Sequence, residues 1–289
     1  INVTALLGQA KGDNTVSVPY TVSGNNISVN GDLYVSATGS VQAIGALTVS
    51  GATTVTASSG ELKYDIELNS NNNFIGPVTL TGQNVTLNTS GPLYLGDITA
   101  PGSFAVSAGA TIIAAGAVNV GIFDLKGGDW RQERVLPAFS ATDFRISGGS
   151  FLRALSGDGT SSEKAYQITD IYGLQGMGSD AGMRDKYYTL ANNIDASGTS
   201  GWNGGAGFNP IGYSGGKFTG SFDGGGHTIS DLAINRSSES CVGLFGYTNG
   251  ATISNVGLLN VNLTGKNDVG GLVGYNASGT IKNSYASGS

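Results

Sequence analysis

The chain has little cysteine, little histidine and little charge. Its 289 residues include one cysteine and one histidine, and Asp, Glu, Lys and Arg together make up only 12% of the sequence. Cys241 alone cannot form an intramolecular disulfide, and a structural zinc site needs more Cys and His ligands than one of each. We therefore expect no metal site and no other cofactor.

Basic clusters and long apolar runs are also missing. The 14 Lys and Arg residues are scattered along a chain of net charge −6, whereas nucleic-acid binding needs clustered basic residues. No apolar run approaches the roughly 20 residues of a membrane-spanning helix. These absences argue against a nucleic-acid partner and against a membrane span.

The chain is instead rich in glycine, with 48 residues, and 39% of it is hydrophobic. The glycine content is well above the average of roughly 7%, but it follows no G-X-Y period, which excludes collagen. The hydrophobic content argues against disorder, which requires low hydrophobicity and high charge. A surface low in charge and rich in Ser, Thr, Asn and Gly is typical of extracellular β-solenoids.

The segment 242–289 contains one pattern twice. Pairs of equivalent residues lie 28 positions apart, namely Gly243 and Gly271, Ile253 and Ile281, and Asn255 and Asn283. A fixed period of this length indicates a solenoid, in which each unit buries its apolar face only by stacking on a neighbour. Because the runs of apolar residues are short and never recur at helical spacing, we predict a parallel β-helix. Within it, we expect Asn255 and Asn283 to stack as an asparagine ladder.

Residues 1–126 alternate apolar and small polar residues with period two, between Gly or Asn turns, which predicts strands. This alternation alone would also suit an antiparallel sandwich. A longer phrase recurs at nearly even intervals, as Gly45-Ala-Leu-Thr-Val-Ser-Gly51, Gly76-Pro-Val-Thr-Leu-Thr-Gly82 and Gly102-Ser-Phe-Ala-Val-Ser-Ala108. We interpret these intervals as a coil period close to that of the repeat in 242–289. The crossover rule predicts a right-handed β-helix.

Three shorter segments depart from this pattern. The charged stretch 62–74 predicts a loop or an edge hairpin that projects from a coil. For residues 127–165 we predict junction coils that connect two types of coil. Residues 169–182 are the one predicted helix. Thr169 or Asp170 could cap it, and Ile171, Leu174 and Met177 fall at helical spacing. The expected fold is therefore all-β, a right-handed parallel β-helix with one short helix.

The sequences Gly243-Leu-Phe-Gly246 and Gly271-Leu-Val-Gly274 resemble the GLUG motif, a short repeat of bacterial secreted and cell-surface proteins. The stretch 218–229 resembles the coils that commonly precede GLUG repeats. Over roughly residues 150–289 the chain is similar to the shafts of filamentous-haemagglutinin-like adhesins, which are exported by two-partner secretion. The resemblance implies irregular coils of haemagglutinin-repeat type over 1–126, and coils with GLUG repeats (242–289) over 166–289.

The resemblance also implies a function and a location. It implies a shaft or binding segment of a large secreted or surface-anchored bacterial adhesin, located outside the cell and acting in biofilm formation and virulence. The implied partners are host-cell or bacterial surface glycans or proteins, exopolysaccharide, and an outer-membrane secretion partner for the full-length chain. We expect this segment to be monomeric. Because Ile1 is not a methionine and the pattern stops midway at Ser289, we expect it to be a piece of a longer protein.

We expect no catalytic residue. His227 could act as a base with Asp223 as its partner, but no nucleophile signature accompanies them. Since turn glycines have a direct backbone reason to surround His227, we interpret it as a structural residue that hydrogen-bonds across coils. Two alternatives remain. One is a polysaccharide-degrading β-helix enzyme, which would need paired carboxylates such as Asp223 and Asp231. The other is the accessory stalk of a secreted peptidase, since GLUG repeats also occur in IgA-cleaving proteases.

Aromatic side chains are the candidate recognition elements, because sugars stack on aromatic faces. The candidate carbohydrate-binding residues are Trp130, Trp202, Tyr213, Tyr247 and Tyr187. For each of them the alternative is that the ring packs beneath a loop and supports the fold.

Overall fold

The computed structural model describes residues 15–16, 20–22, 27–43, 45–213 and 216–289. The chain forms two compact units, one of residues 1–132 and 137–149 and the other of residues 133–136 and 150–289. Both consist mainly of parallel strands. The predicted all-β parallel β-helix is therefore confirmed. Residues 1–14 of the predicted first segment lie outside the described residues, and the predicted boundaries at 126 and 165 stay predictions.

The strands of the first unit are β1 (Thr15–Val16), β2 (Tyr20–Val22), β3 (Ile27–Val29), β4 (Leu33–Ala37), β5 (Val41–Ala43), β6 (Leu47–Val49), β7 (Thr53–Ser59), β8 (Leu62–Lys63), β9 (Ile66–Phe74), β10 (Val78–Thr81), β11 (Asn84–Thr89), β12 (Leu93–Ala114), β13 (Val118–Glu133) and β14 (Phe139–Ile146). Their ladders line three faces. Face A joins β1, β4, β7, β10 and the starts of β12, β13 and β14. Face B joins β2, β5, the start of β9, β11 and the middle of β12, and face C joins β3, β6 and the end of β9.

Alternate residues of strands such as β4, β7 and β9 enter the core, because successive side chains point to opposite sides of a strand. On face B one inward position forms a ladder in which each residue pairs with the next, through Val41, Ile66, Val85, Phe104, Phe123 and Phe144. None of these side chains is more than 2% exposed. The rings of Phe123 and Phe144 stack at 5.2 Å. Burial of each such side chain stabilises the fold by about 1.5–3 kcal/mol.

The coil period predicted for this unit is wrong. Ile98 pairs with Val118, and Val118 pairs with Phe139, so successive coils here are distinctly shorter than the repeat in 242–289. The three copies of the recurring phrase lie on three different faces, in β6, β10 and the middle of β12. The phrase therefore marks a corner followed by a strand, which occurs on each face of a coil.

One coil of the first unit is longer than its neighbours. Val41 pairs with Ile66 across a wider interval than the one between Ile98 and Val118. The extra length is an antiparallel hairpin between β7 and β8, which projects from the coil with Ser59 opposite Leu62. The predicted extrusion at 62–74 is correct only at its start, because residues 66–74 form β9 and belong to the coil itself.

The strands of the second unit are β15 (Ser150–Ala154), β16 (Tyr166–Ile168), β17 (Tyr187–Leu190), β18 (Ile194–Asp195), β19 (Ser221–Asp223), β20 (Thr228–Ser230), β21 (Ala233–Asn235), β22 (Ser240–Val242), β23 (Phe245–Asn249), β24 (Thr252–Ser254), β25 (Gly257–Thr264), β26 (Asn267–Val269), β27 (Val273–Ala277), β28 (Thr280–Lys282) and β29 (Tyr285–Gly288). One parallel sheet runs β16-β17-β19-β24-β28, and another joins β18, β20, β25 and β29. Two-strand ladders, β22 with β26 and β23 with β27, complete the last coils.

The repeat seen in the sequence of 242–289 corresponds to one coil of this unit. Ile253 pairs with Ile281, as the sequence predicts, and Phe245 pairs with Val273. The amide nitrogen of Asn283 donates to the side-chain oxygen of Asn255 at 3.2 Å. The predicted asparagine ladder is therefore confirmed, and both of its members have a positive φ.

The predicted helix is present but short. α1 spans Ile171–Gly176, not 169–182, and the Asp170 side chain caps it by accepting from the Gly173 N–H at 2.9 Å. Glycines in this stretch weaken a helix by about 1 kcal/mol each relative to alanine, so it ends early. The sequence-based prediction missed 3₁₀ turns in Ser162–Lys164 and in Ser197–Gly205, and the latter segment is interrupted by a kink at Trp202, Asn203 and Gly204, whose φ and ψ angles are not helical. None of these helical segments in the described part of the chain has the length and hydropathy needed to span a bilayer.

The residues of the first predicted GLUG repeat are packing residues. Leu244 and Phe245 are fully buried, and the flanking glycines lie against backbone. A Cβ atom on Gly246 would overlap the carbonyl oxygens of Gly212 and Cys241. The motif therefore combines apolar side chains that fill the core with glycines that permit close backbone approach.

Candidate binding surface

The two tryptophans do not offer a ring face to a ligand. Trp130 is fully buried and packs edge-on against Phe123, with ring centroids 5.0 Å apart. Trp202 is 1% exposed and stacks on Tyr172 at 5.4 Å. The expectation that these two residues are exposed binding residues is wrong, because each ring contributes to a core where its large apolar area is buried.

Two tyrosines, in contrast, lie side by side on neighbouring coils at the surface. Tyr247 lies on β23 and pairs in register with Tyr275 on β27, and their ring centroids are 4.8 Å apart at an angle of 60°. Tyr275, on the last coil of this sequence, is 45% exposed, and Tyr247 is half-buried. Lys217 is exposed on the other side of Tyr247, with its Nζ 5.0 Å from the centroid of that ring. Neighbouring coils thus present one cation and two aromatic rings in a row.

Tyr213 lies next to this row. The Tyr247 N–H donates to the carbonyl oxygen of Gly212 at 3.2 Å, which places the backbone just before Tyr213 beside β23. Tyr213 is 58% exposed, and the guanidinium carbon of Arg184 lies 5.7 Å from the centre of its ring. We refer to Tyr213, Tyr247, Tyr275, Arg184 and Lys217 together as the tyrosine surface.

Backbone bridges and buried rings support this surface. Bridges join Ile211 to Phe245 and Phe218 to Thr248 in parallel, and the Phe218 N–H donates to the Tyr247 carbonyl at 2.9 Å. Phe218 and Phe245 are fully buried, with ring centroids 4.9 Å apart. Buried aromatic packing therefore fixes the backbone that carries the exposed rings.

Tyr187 lies on a different sheet. It is 37% exposed on β17, which pairs with β16 and β19. No hydrogen bond, ion pair or ring contact joins its side chain to the tyrosine surface among the described residues. Of the five aromatic candidates, the structure therefore brings together only Tyr213 and Tyr247. Sequence reasoning missed Tyr275, although it occupies the position equivalent to Tyr247 in the next repeat.

The two cations of the surface have no acidic partner. No carboxylate oxygen of the described residues lies within 4.0 Å of the side-chain nitrogens of Arg184 or Lys217. One guanidinium nitrogen of Arg184 donates to the Gly178 carbonyl at 3.0 Å. A cation over a ring face is attracted by the negative charge of the π system, by about 0.5–1 kcal/mol at exposed sites.

His227 and Asp223 take part in turn hydrogen bonds. The Nδ1 atom of His227 is 3.3 Å from the side-chain oxygen of Asn193, one coil away. Oδ1 of Asp223 accepts from the Gly225 N–H at 3.0 Å and from the Asn255 amide at 2.9 Å. This geometry agrees with the structural interpretation of His227, and no hydrogen bond joins Asp231 to Asp223 within the described part of the chain.

Among the described residues, a cluster of metal ligands or a cavity with reactive side chains would indicate a site for chemistry. No group of three or more His, Cys, Asp or Glu side chains converges there on a point where a metal could bind. A shallow cavity on the last coil is lined by Val261, Leu263, Val269, Ala286 and neighbouring glycines and serines. None of the side chains that line it carries a carboxylate, an imidazole or a thiol.

Two family models match parts of the chain. One, described as repeats of unknown function (DUF5649), matches residues 13–81 and 82–128, and the GLUG motif matches residues 265–289. The latter match covers the second of the two predicted GLUG repeats. No solved structure matches the chain.

Among known proteins, halomucin from Haloquadratum walsbyi (strain DSM 16790 / HBSQ001) is 42% identical over 152 residues. These residues are 51% of this chain but 2% of halomucin, so the chain spans only a small part of that relative. The narrower resemblance to filamentous-haemagglutinin-like adhesins stays a prediction. The chain is a β-helical repeat protein that carries the GLUG motif and is similar, over half of its length, to part of a much longer protein.

Proposed function

We propose that this chain is a shaft and binding segment of a large secreted or surface-anchored adhesin, which attaches to cells or to the polysaccharide of a biofilm matrix. The observation that carries the proposal is the row of Lys217, Tyr247 and Tyr275 on successive coils. A row of one cation, the half-buried Tyr247 and the exposed Tyr275 suits binding along an extended polymer, because successive coils place these side chains side by side.

The comparisons support the architectural part of the proposal. The GLUG match and the similarity to a short part of halomucin are what we expect of one segment in a very long repeat protein. An extracellular or cell-surface location, two-partner export and a role in virulence belong to the same proposal. Stacked coils would supply stiffness without disulfides, since each unit is held by its neighbours.

We propose attachment rather than catalysis. The enzyme alternative needs a pair of carboxylates facing a substrate, and the Asp223 carboxylate is held by hydrogen bonds from Gly225 and Asn255. The peptidase-stalk alternative differs from ours only in what the rest of the full-length protein does.

The test is a binding screen of the chain against immobilised surface glycans and matrix polysaccharides, with analysis of released sugars in the same wells. We expect saturable binding without cleavage. Stacking on an aromatic ring contributes about 0.5–1.5 kcal/mol, so the double variant Tyr247→Ala with Tyr275→Ala should bind about ten-fold more weakly. Tyr94→Ala, which removes a 45% exposed tyrosine of the first unit, is the matched control. Released sugar would show an enzyme, and a lack of saturable binding would contradict attachment.

A further inference from the structure

We infer that the tyrosine surface selects acidic polysaccharides, whose sugar rings stack on its tyrosines while its two cations pair with the carboxylates of uronic acid residues. This inference rests on the proposed function and adds the chemical class of the ligand. It follows from the placement of two cations without acidic partners beside three tyrosines in a chain of net charge −6.

Some cations of the second unit form ion pairs, whereas Arg184, Lys217, Lys266 and Lys282 have no carboxylate partner among the described residues. Of these four, Arg184 and Lys217 are the ones that lie over a tyrosine ring. Arg153 pairs with Asp170 at 2.6 Å, Lys186 with Asp185 at 2.9 Å, and Arg236 with Glu239 at 2.9 Å, each pair lying within the second unit. The charge of Arg184 and Lys217 is not compensated in this way. Their field therefore points to solvent, where it can attract an anion despite the negative charge of the whole chain.

The carboxylates nearest in sequence to Arg184 are engaged elsewhere. Oδ1 of Asp180 accepts from the Met183 N–H at 2.8 Å, and Asp185 pairs with Lys186. Arg184 donates one hydrogen bond, to Gly178, whereas a guanidinium has five N–H donors in a planar fork. The fork therefore has donors left for a carboxylate, the group that it binds best.

Lys217, Tyr247 and Tyr275 lie close enough together to act on one polymer chain. The centroids of Tyr247 and Tyr275 are 4.8 Å apart, a distance comparable to the length of one pyranose ring, and Lys217 extends the row by one more coil. Ring faces carry negative charge and attract the polarised C–H groups of a sugar. A sugar seated on the tyrosines would thus bring its carboxylate toward a cation.

The experiment compares two polymers that differ only in charge, namely polygalacturonate and its fully methyl-esterified form. Binding of the whole chain to each is measured by titration at low and high salt. We expect at least ten-fold tighter binding to polygalacturonate, and this preference should shrink as the Debye length falls from about 30 Å at 0.01 M to about 3 Å at 1 M salt.

Matched variants locate the effect. Lys217→Gln and Arg184→Gln should each weaken binding to polygalacturonate by roughly two- to five-fold, the range for one exposed ion pair, and leave binding to the ester unchanged. Lys217→Arg should retain binding. Lys266→Gln removes the same charge from an exposed site outside the tyrosine surface and should have no effect. Thermal unfolding of each variant checks that its fold is intact.

The outcomes separate this inference from the proposed function. Equal binding to both polymers, lost in the double tyrosine variant, would overturn the preference for acidic sugars and leave attachment standing. A preference for polygalacturonate that the Lys266 variant also reduces would reflect general charge and overturn the assignment of the site. Binding to neither polymer, together with saturable binding to a neutral glycan in the first screen, would also overturn the inference alone.

Discussion

The side-chain oxygen of Asn72 accepts a hydrogen bond of 2.9 Å from the backbone N–H of Leu47, one coil earlier in the first unit. The amide nitrogen of Asn72 lies 2.9 Å from the carbonyl oxygens of Leu68, Ser70 and Asn88. Asn72 is fully buried. One side chain therefore satisfies backbone groups of three successive coils, and no water can replace it without entering the core.

Asn72→Ala should lower the free energy of unfolding of the first unit by about 3 kcal/mol, because it leaves buried backbone groups without partners. Asn71, its neighbour on the same strand, is exposed, and Asn71→Ala should change stability by less than about 0.5 kcal/mol. Urea unfolding followed by circular dichroism measures both. Equal losses for the two variants would contradict a cross-coil role for Asn72.

Two buried threonines should respond oppositely to the same substitution. Thr53 is fully buried, and its hydroxyl has no hydrogen-bond partner within the described residues. The hydroxyl of Thr248, also fully buried, donates to the side-chain oxygen of Asn276 at 2.8 Å. Thr53→Val should raise stability by about 1 kcal/mol, and Thr248→Val should lower it by about 1 kcal/mol. Thermal unfolding gives the sign of each change, and a loss in Thr53→Val would show that its hydroxyl is satisfied.

The second glycine of the first predicted GLUG repeat, Gly246, should not tolerate a side chain. A Cβ on Gly246 would overlap two carbonyl oxygens, whereas a Cβ on Gly198 would have no heavy atom within 4 Å. We expect Gly246→Ala to cost about 1–3 kcal/mol through forced backbone shifts, and Gly198→Ala to be nearly neutral. Unfolding in urea compares the two variants. A neutral Gly246→Ala would mean that the coils can separate at this point.

The thiol of Cys241 should react slowly with alkylating reagents. Burial, and to a smaller extent the nearby Asp268 carboxylate, raise the pKa of this thiol above its usual value. The thiolate is the nucleophile in alkylation. The alkylation rate of Cys241 at neutral pH should therefore be lower than that of a free cysteine, and it should rise only at higher pH. Asp268→Asn should shift the pH–rate profile to lower pH, and Glu61→Gln should not. A profile that matches free cysteine would contradict the raised pKa.

The sequence predicts the second unit better than the first. Residues such as Ile253 and Ile281 recur at a fixed interval, so the interval itself gives the pairing register. In the first unit the repeated phrase describes only a corner and a strand, and each coil contains several of these. The alternation of residues therefore identifies the strands, but the pairing of Ile98 with Val118 depends on contacts that no local pattern encodes.

Only part of the candidate site could be predicted, again because a local sequence pattern does not determine contacts between coils. Alternation along a strand does not tell whether a large aromatic residue such as Trp130 faces the core or solvent, because corners reset the phase between faces. Tyr275 could have been found from its repeat position relative to Tyr247. Arg184 could not, since it reaches the ring of Tyr213 from a turn far away in sequence.

The fixed register of the last coils has a consequence for how such a chain can change during evolution. After loss or gain of one whole coil, the residues at the repeat positions of Ile253 and Asn255 would still pair with equivalent residues on the neighbouring coils. The fold would therefore tolerate recombination between repeats. A deletion of any other length would shift the ladders and bury polar residues in place of apolar ones. Length polymorphism among natural variants should therefore come in whole coils, and each gained coil with a tyrosine at the Tyr247 position would lengthen the row of rings by one.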